Sequence, residues 1–386
     1  MNRPLVVLVL ATLCCVAVTG LLIVFAAERA YTNAGAAQWP GGLGALTAAP
    51  ERFPAVATNA AAARFTTLAA RLDPPAEVSA YLKSEVERAD TEIASPSASV
   101  LAYITQQAAT IDLIRDHLLT AGEMVWEHDP AKGFESKPPN LLVPLRAARL
   151  LMIRALTAED GEALRAASRL AEPLLARPET ISNTIGIAIL RDVTAVAAKL
   201  PIEVRPWIAD LLRADPERAL ARSMQYDTWL LWAHGSGEAE RIATAAAGPF
   251  FHISLANYVR HQRETLAPLL HVVNCGGDVD SYFADRLENI PRWNVLARIA
   301  IPAIGSTWAR AFRYRAEREA TLNAIRAASG EPIVSTSKCH GTWSSEVLSA
   351  GRQRVWYSRA IPKSGERDTE IPLERTTRAR TTRQST

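Results

Sequence analysis

The chain has 386 residues, 22% charged and 48% hydrophobic, with 43 basic and 40 acidic side chains. That is enough apolar material for one large domain or two modest ones, and too much for wholesale disorder. Residues 4–370 carry 38 basic and 39 acidic side chains, and the slight basicity sits in Arg3 and in Arg375, Arg378, Arg380 and Arg383. A neutral body argues against a general nucleic-acid binder, which needs many phosphate-neutralising groups on one face.

Leu5 to Ala26 reads LVVLVLATLCCVAVTGLLIVFA, 22 residues without a charge. As a helix this run would extend about 33 Å, enough to cross a bilayer core. Two readings fit it. Its length favours an uncleaved anchor, because the apolar core of a cleaved signal peptide has about 7–15 residues. A cleaved signal is the other, with Ala34-Gly35-Ala36 as its candidate processing site. Leu13 ahead of Cys14 is too large for lipoprotein processing. Arg3 lies before the run, and Glu28 and Arg29 cancel after it, so the N-terminal side is expected in the cytoplasm. The expectation is a single-pass protein of the inner (cytoplasmic) membrane, contacting lipid through residues 5–26. Its C-terminal body would lie in the periplasm or otherwise outside the cytoplasm.

Residues 1–33 are then anchor and flank. Residues 34–56, with four glycines and three prolines, form a linker. From 57 to 330 the pattern is helical. Asn59 caps a segment ending near Leu72, stopped by Asp73-Pro74-Pro75. Residues 76–94 read as a polar-faced helix. Ser97 or Ser99 opens the next, which reaches about Thr120 with Leu101, Ile104, Ala108, Ile111 and Ile114 on one face. Residues 122–140 break the helical rhythm. Asn140 caps a helix to Leu156, Thr157–Asp160 opens another, and Pro178 suits the first turn of a helix over 179–200. Further helices are expected up to Asp215-Pro216 and at about 217–233, 238–246 and 250–273, with Gly235 and Gly237 read as a turn.

Short joints make sequential helices antiparallel neighbours, so 141–214 reads as two stacked αα-hairpins. A long helix over 291–329 should kink at Pro302 and stop at Gly330. A small β appendage over 331–362 follows, with Arg354–Ala360 as a strand and Gly341–Val347 as its partner. Residues 363–386 read as a disordered basic tail. The fold class is therefore mostly α: an N-terminal transmembrane helix, then an irregular helical bundle or stacked αα-hairpins, with a small C-terminal β appendage.

Motifs that carry chemistry are few. Gly41-Gly42-Leu43-Gly44 lacks the Lys-Ser/Thr of a phosphate loop, and Ser236 has His234 and Glu238 where a nucleophile elbow needs glycine. His252, His261 and His271 share one expected helix, but a step of nine residues turns about 180°, so they cannot converge. Asp278 and Asp280 lack the remaining ligands of a calcium loop.

The best cluster is Trp126, Glu127, His128 and Asp129, in the longest irregular segment of the body. These residue types serve acid–base chemistry or metal binding if partners such as Asp112 or His117 converge on them. The competing reading is a loop that ties Trp126 into the core. The four are binding candidates, and no catalytic residue, metal site or cofactor is assigned. Cys275 and Cys339 are the only body cysteines, and in an oxidising compartment an even pair is expected to form a disulfide; two free buried thiols are the alternative.

The run Asn59-Ala60-Ala61-Ala62-Ala63-Arg64, the Trp126–Asp129 segment, the 140–200 helices and Tyr357-Ser358-Arg359 resemble a group of uncharacterised bacterial membrane-anchored helical proteins, over most of residues 40–360. That resemblance implies an anchored helical body and no mechanism. The resulting expectation is an extracytoplasmic helical scaffold or binding protein of the cell envelope, with an envelope protein as its partner and no nucleic acid. The alternative is an envelope hydrolase with a site built around the 122–140 loop.

Overall fold

The structure is a computed structural model. It describes residues 12, 14–24, 26–27, 53–88, 92–136, 139–201, 207–208, 216–242, 254–255, 257–262, 285–290, 292, 294–337, 341–348, 352–362 and 370–378. The described chain is mostly helical, with one small antiparallel sheet. Helix α1 covers Cys14–Val24. The body follows with α2 (Ala60–Ala69), α3 (Ala76–Glu87), α4 (Ala98–Gln106) and α5 (Ala108–Thr120). A short 3-10 helix, Pro130–Glu135, leads to α6 (Leu142–Ala158), α7 (Gly161–Arg169), α8 (Ala171–Ala176) and α9 (Thr180–Lys199). Then come α10 (Pro216–Ile242), α11 (Val295–Ala328) and strands β1 (Trp343–Val347), β2 (Arg352–Pro362) and β3 (Glu370–Arg378), in spatial order β1-β2-β3.

Local chemistry sets most helix starts. The side chains of Asn59, Ser97, Asp160 and Asn294 each accept a backbone N–H in the first turn of α2, α4, α7 and α11. The expected stop at Gly330 is also found. Gly330 takes φ 76°, its N–H donates to Ala327 O, and Glu331 N–H reaches back to Arg326 O at 2.9 Å. This pair of bonds satisfies the last carbonyls of α11 in the geometry that a left-handed glycine permits.

Helix α9 is the hub. It packs against α3, α6, α7, α8, α10, α11 and β3. Neighbours on so many sides require apolar residues around the whole circumference. It is accordingly buried at Ile187, Ile189, Leu190, Val193, Ala195, Val196 and Ala197. Gly186 lets α8 approach: a Cβ there would sit 3.0 Å from Leu175 Cγ. By length and composition α9 is the one described helix long and apolar enough to cross a membrane, and 61% of its apolar window is buried in the protein. That burial makes it the core helix of the body. The expected anchor run is helical wherever it is described, at residue 12, over Cys14–Val24 and at 26–27.

Three findings differ from the sequence-based expectations. The helix expected from Ser97 to Thr120 is two helices, because Gln107 leaves helical geometry at φ −93°, ψ 2°. Gly235 and Gly237 do not end a helix; α10 runs through them to Ile242. Interior glycines cost about 1 kcal/mol each relative to Ala, which the packing of a 27-residue helix can outweigh. The expected disordered tail contains β3, paired antiparallel to β2 with Val355 opposite Arg375.

The expected pairing of β1 with β2 is present, in register Trp343 with Tyr357. Cys275 and Cys339 lie outside the described residues; among the described residues Cys14 and Cys15 are free, exposed thiols and no disulfide occurs. His252, His271, Asp278 and Asp280 also lie outside the described residues.

Candidate functional site

The 122–140 segment is held against the start of α2. Val56 and His128 exchange both backbone hydrogen bonds, at 2.8 and 2.9 Å. Asn59 N–H donates to Val125 O, Asn59 Nδ2 donates to Glu123 O at 2.7 Å, and Asn59 Oδ1 accepts from Val125 N–H as well as capping α2. Thr58 Oγ1 accepts from Glu127 N–H at 2.9 Å. One asparagine therefore both starts a helix and stitches a distant loop to it.

Each of the four candidate residues has a defined place. Trp126 is buried, edge-on to Phe65 at 6.1 Å. Glu127 is exposed and pairs with Lys132 at 2.8 Å. Asp129 accepts from Ala131 N–H and caps the 3-10 helix. His128 is buried at 4% exposure, with its ring edge-on to Tyr226 at 5.3 Å. Its Nδ1 lies 3.2 Å from Glu179 Oε1.

Glu179 is the centre of the polar cluster. Arg177 donates from Nε to Oε2 at 3.0 Å and from Nη2 to Oε1 at 2.6 Å, a two-point clamp. The same guanidinium donates from Nη1 to the carbonyls of Trp126 and Glu127, both at 3.1 Å. Burial pushes the Glu179 carboxyl up, but the hydrogen bonds from His128 and Arg177 and the Arg177 charge outweigh it and hold the group at about 2. An ionised carboxylate only accepts, so His128 Nδ1 carries a proton, and Nε2 is buried without a hydrogen-bond partner.

The neighbouring acid behaves oppositely. Burial raises Asp227 to about 6, against the hydrogen bond it accepts from Thr180 N–H, and with the Glu179 charge pushing the same way. Burial also raises the Tyr226 hydroxyl, again with Glu179 and Asp227 adding to the shift. Two carboxyls on one corner are thus driven apart in acidity by their surroundings.

The partners suggested by sequence do not arrive. Asp112 pairs with Arg115 at 3.2 Å on α5, and His117 Nε2 bonds to Ala61 O at 2.9 Å. The residues that do converge, Arg177, Glu179, Tyr226 and Asp227, come from the start of α9 and from α10. Their only sequence signal is Arg177-Pro178-Glu179-Thr180, a charged pair flanking a helix-opening proline. His234 seals the far side: its Nε2 lies 3.1 Å from Pro130 O, and a Cβ on Gly133, at φ 53°, would fall 2.5 Å from its Nδ1. Only glycine fits there, for both reasons.

Chemically, the corner is an ion cluster closed by its own partners. A clamped carboxylate, a proton-bearing imidazole and a guanidinium fasten the loop to α9. Among the described residues no group of three or more His, Cys, Asp or Glu side chains is set to hold a metal ion. The chain matches no family model, no curated protein sequence and no solved structure.

Proposed function

We propose that this chain is a membrane-tethered helical scaffold or binding protein of the cell envelope. Its tether is the apolar run 5–26, and its body lies on the far side of the cytoplasmic membrane. The observation that carries this reading is the state of α1: Val16 is 65% and Leu22 63% exposed among the described residues. An apolar helix without a protein partner needs a lipid one. Arg3 before the run and the cancelling Glu28 and Arg29 after it support the orientation.

The binding role is supported by what the polar corner does. Arg177, Glu179 and His128 fix the loop, and the imidazole is shielded from water, so it does not meet a substrate in this arrangement. Fusion of a reporter active only outside the cytoplasm after residue 40 is expected to give activity in a bacterial host. Activity from a cytoplasmic reporter alone would overturn the topology.

One observation favours an envelope hydrolase instead: the Glu179–His128 pair leaves Nε2 without a partner, as a carboxylate-oriented general base would. Ester, amide and phosphoester hydrolysis by the purified chain, abolished by His128→Gln with stability retained, would select that reading. A His128→Gln variant that only loses stability selects the scaffold.

A further inference from the structure

Strand β1 pairs with β2 along one edge and is open along part of the other. Toward β2, Thr342 O accepts from Ser358 N–H at 2.9 Å and Leu348 N–H donates to Arg352 O at 2.7 Å. Main-chain groups alternate sides along a strand, so the even-numbered residues between these two also face β2 and the odd-numbered ones face away. Trp343 is the first of the odd set. Its N–H donates to Ser335 O at 2.8 Å, in a short hairpin that sets Thr336 opposite Thr342. The pairing on that side ends there, and Val334, one residue back, has both main-chain groups bound by Asn323 of α11, at 2.9 and 3.0 Å.

Ser345 and Val347 continue the open edge, and neither main chain has a hydrogen-bond partner there among the described residues. Both residues are exposed, and Val347, at 76%, is the most exposed of the large apolar side chains described. They share a face of the sheet with Trp343, which is buried and donates from Nε1 to Glu319 Oε2 on α11 at 3.0 Å. The other edge strand, β3, packs on α9 and α11. Edges that are protected from pairing carry lysine or proline at the outward positions; this one carries serine and valine.

We propose that the β1 edge at Ser345–Val347 docks an extended segment of another protein, which joins the sheet as a fourth strand. The proposal rests on the binding-protein reading and names its partner class, a segment in which apolar, basic and apolar residues alternate. Side chains opposite Ser345 and Val347 stand on their face, where apolar groups cover Val347. The residue between them meets Glu346 on the other face. Glu346 has the looser ion pair there: Arg354 lies 3.4 Å from it and 2.6 Å from Glu374. A second copy of this chain fits worse. Pairing both open residues with those of the copy sets Glu346 directly opposite Glu346, and like charges so placed repel.

The test uses the full chain in detergent and fluorescein-labelled peptides of alternating valine and lysine, followed by fluorescence anisotropy. Saturable binding is expected, about tenfold weaker when glutamate replaces lysine. Binding should vanish when the peptide amides that face the edge are N-methylated. Val347→Pro removes an outward donor and spares the β1–β2 ladder, so binding should be lost while the melting temperature holds. If that variant does not fold, Glu346→Lys should reverse the preference in favour of the glutamate peptide. No saturable binding of the lysine peptide, no effect of N-methylation, or undiminished binding by Val347→Pro would overturn the proposal. A concentration-dependent dimer broken by Val347→Pro would give the edge to a second copy and overturn it as well. The hydrolysis and reporter assays read the scaffold proposal separately, so absent peptide binding with those results as expected rejects the edge alone.

Discussion

Replacing Asp227 by Asn should stabilise the protein, and only above mild acidity. The carboxyl rises from 3.8 to about 6 on folding, chiefly through burial. A carboxyl raised in this way favours the folded state when protonated. Its contribution is fully present below 3.8 and is lost as pH rises through about 6. At about 1.4 kcal/mol per unit, the ionised group costs about 3 kcal/mol at pH 8. Asn keeps an oxygen for Thr180 N–H but makes a weaker bond, and the site retains some solvent screening, so a net gain of about 2 kcal/mol is expected. Guanidinium unfolding of the detergent-solubilised chain, followed by tryptophan fluorescence at pH 8 and pH 4, measures it. The gain should shrink to about a few tenths of a kcal/mol at pH 4. Equal gains at both pH values would trace the effect to shape instead of charge. No gain at pH 8 would refute the burial argument outright.

Glu179→Gln should do the reverse. Its folded value of about 2, against 4.5, means stability present above 4.5 and lost as pH falls towards 2, so the variant should lose about 3 kcal/mol at pH 7 and almost nothing at pH 2 in the same unfolding assay. Glu159 holds a left-handed conformation at φ 51° where α6 ends, so Glu159→Gly should raise stability by about 0.5–1 kcal/mol in chemical denaturation. Gly341 packs directly beneath the Tyr357 ring, and Gly341→Ala should lower stability by about 2 kcal/mol in thermal melts, with an unchanged melt refuting that contact. Deleting residues 370–386 removes β3, the partner of Val355 in the sheet, so the melting temperature should drop by several degrees; an unaltered value would mean that the strand does not dock.

Helix starts were legible because caps are local. Asn59, Ser97 and Asp160 each announce a first turn through a side chain that reaches only three residues along the chain. Gly330 is readable for the same reason. The join across Gly235 and Gly237 was not, since tertiary packing overrides a local penalty and leaves no mark at that scale. β3 was hidden by composition: a Thr- and Arg-rich stretch suggests solvent, yet threonine favours strands and every second residue turns inward. At the site, Trp126–Asp129 stood out because a long loop with aromatic and titratable residues breaks a helical rhythm. Arg177, Glu179 and Asp227 lie 49 to 99 positions further along than His128, and no spacing rule links them to it.

The stitch between residues 56–59 and 123–128 also has a mechanical consequence. A load applied to the chain ahead of Phe53 is taken first by the Phe53 ring, which packs edge-on to Tyr226 of α10 at 4.9 Å, and then by Val56. It meets the two Val56–His128 bonds, then Thr58 with Glu127, then the Asn59 contacts, one after another instead of together. Bonds loaded in series yield singly, so this seam gives way while the α9 hub is still intact. His128 is the first residue across the seam to lose its backbone partner, and its ring is one of three side chains, with Arg177 and Ser182, that donate to Glu179. A tug on the N-terminal side is thereby converted into a change of proton affinity at a carboxylate on another helix's threshold.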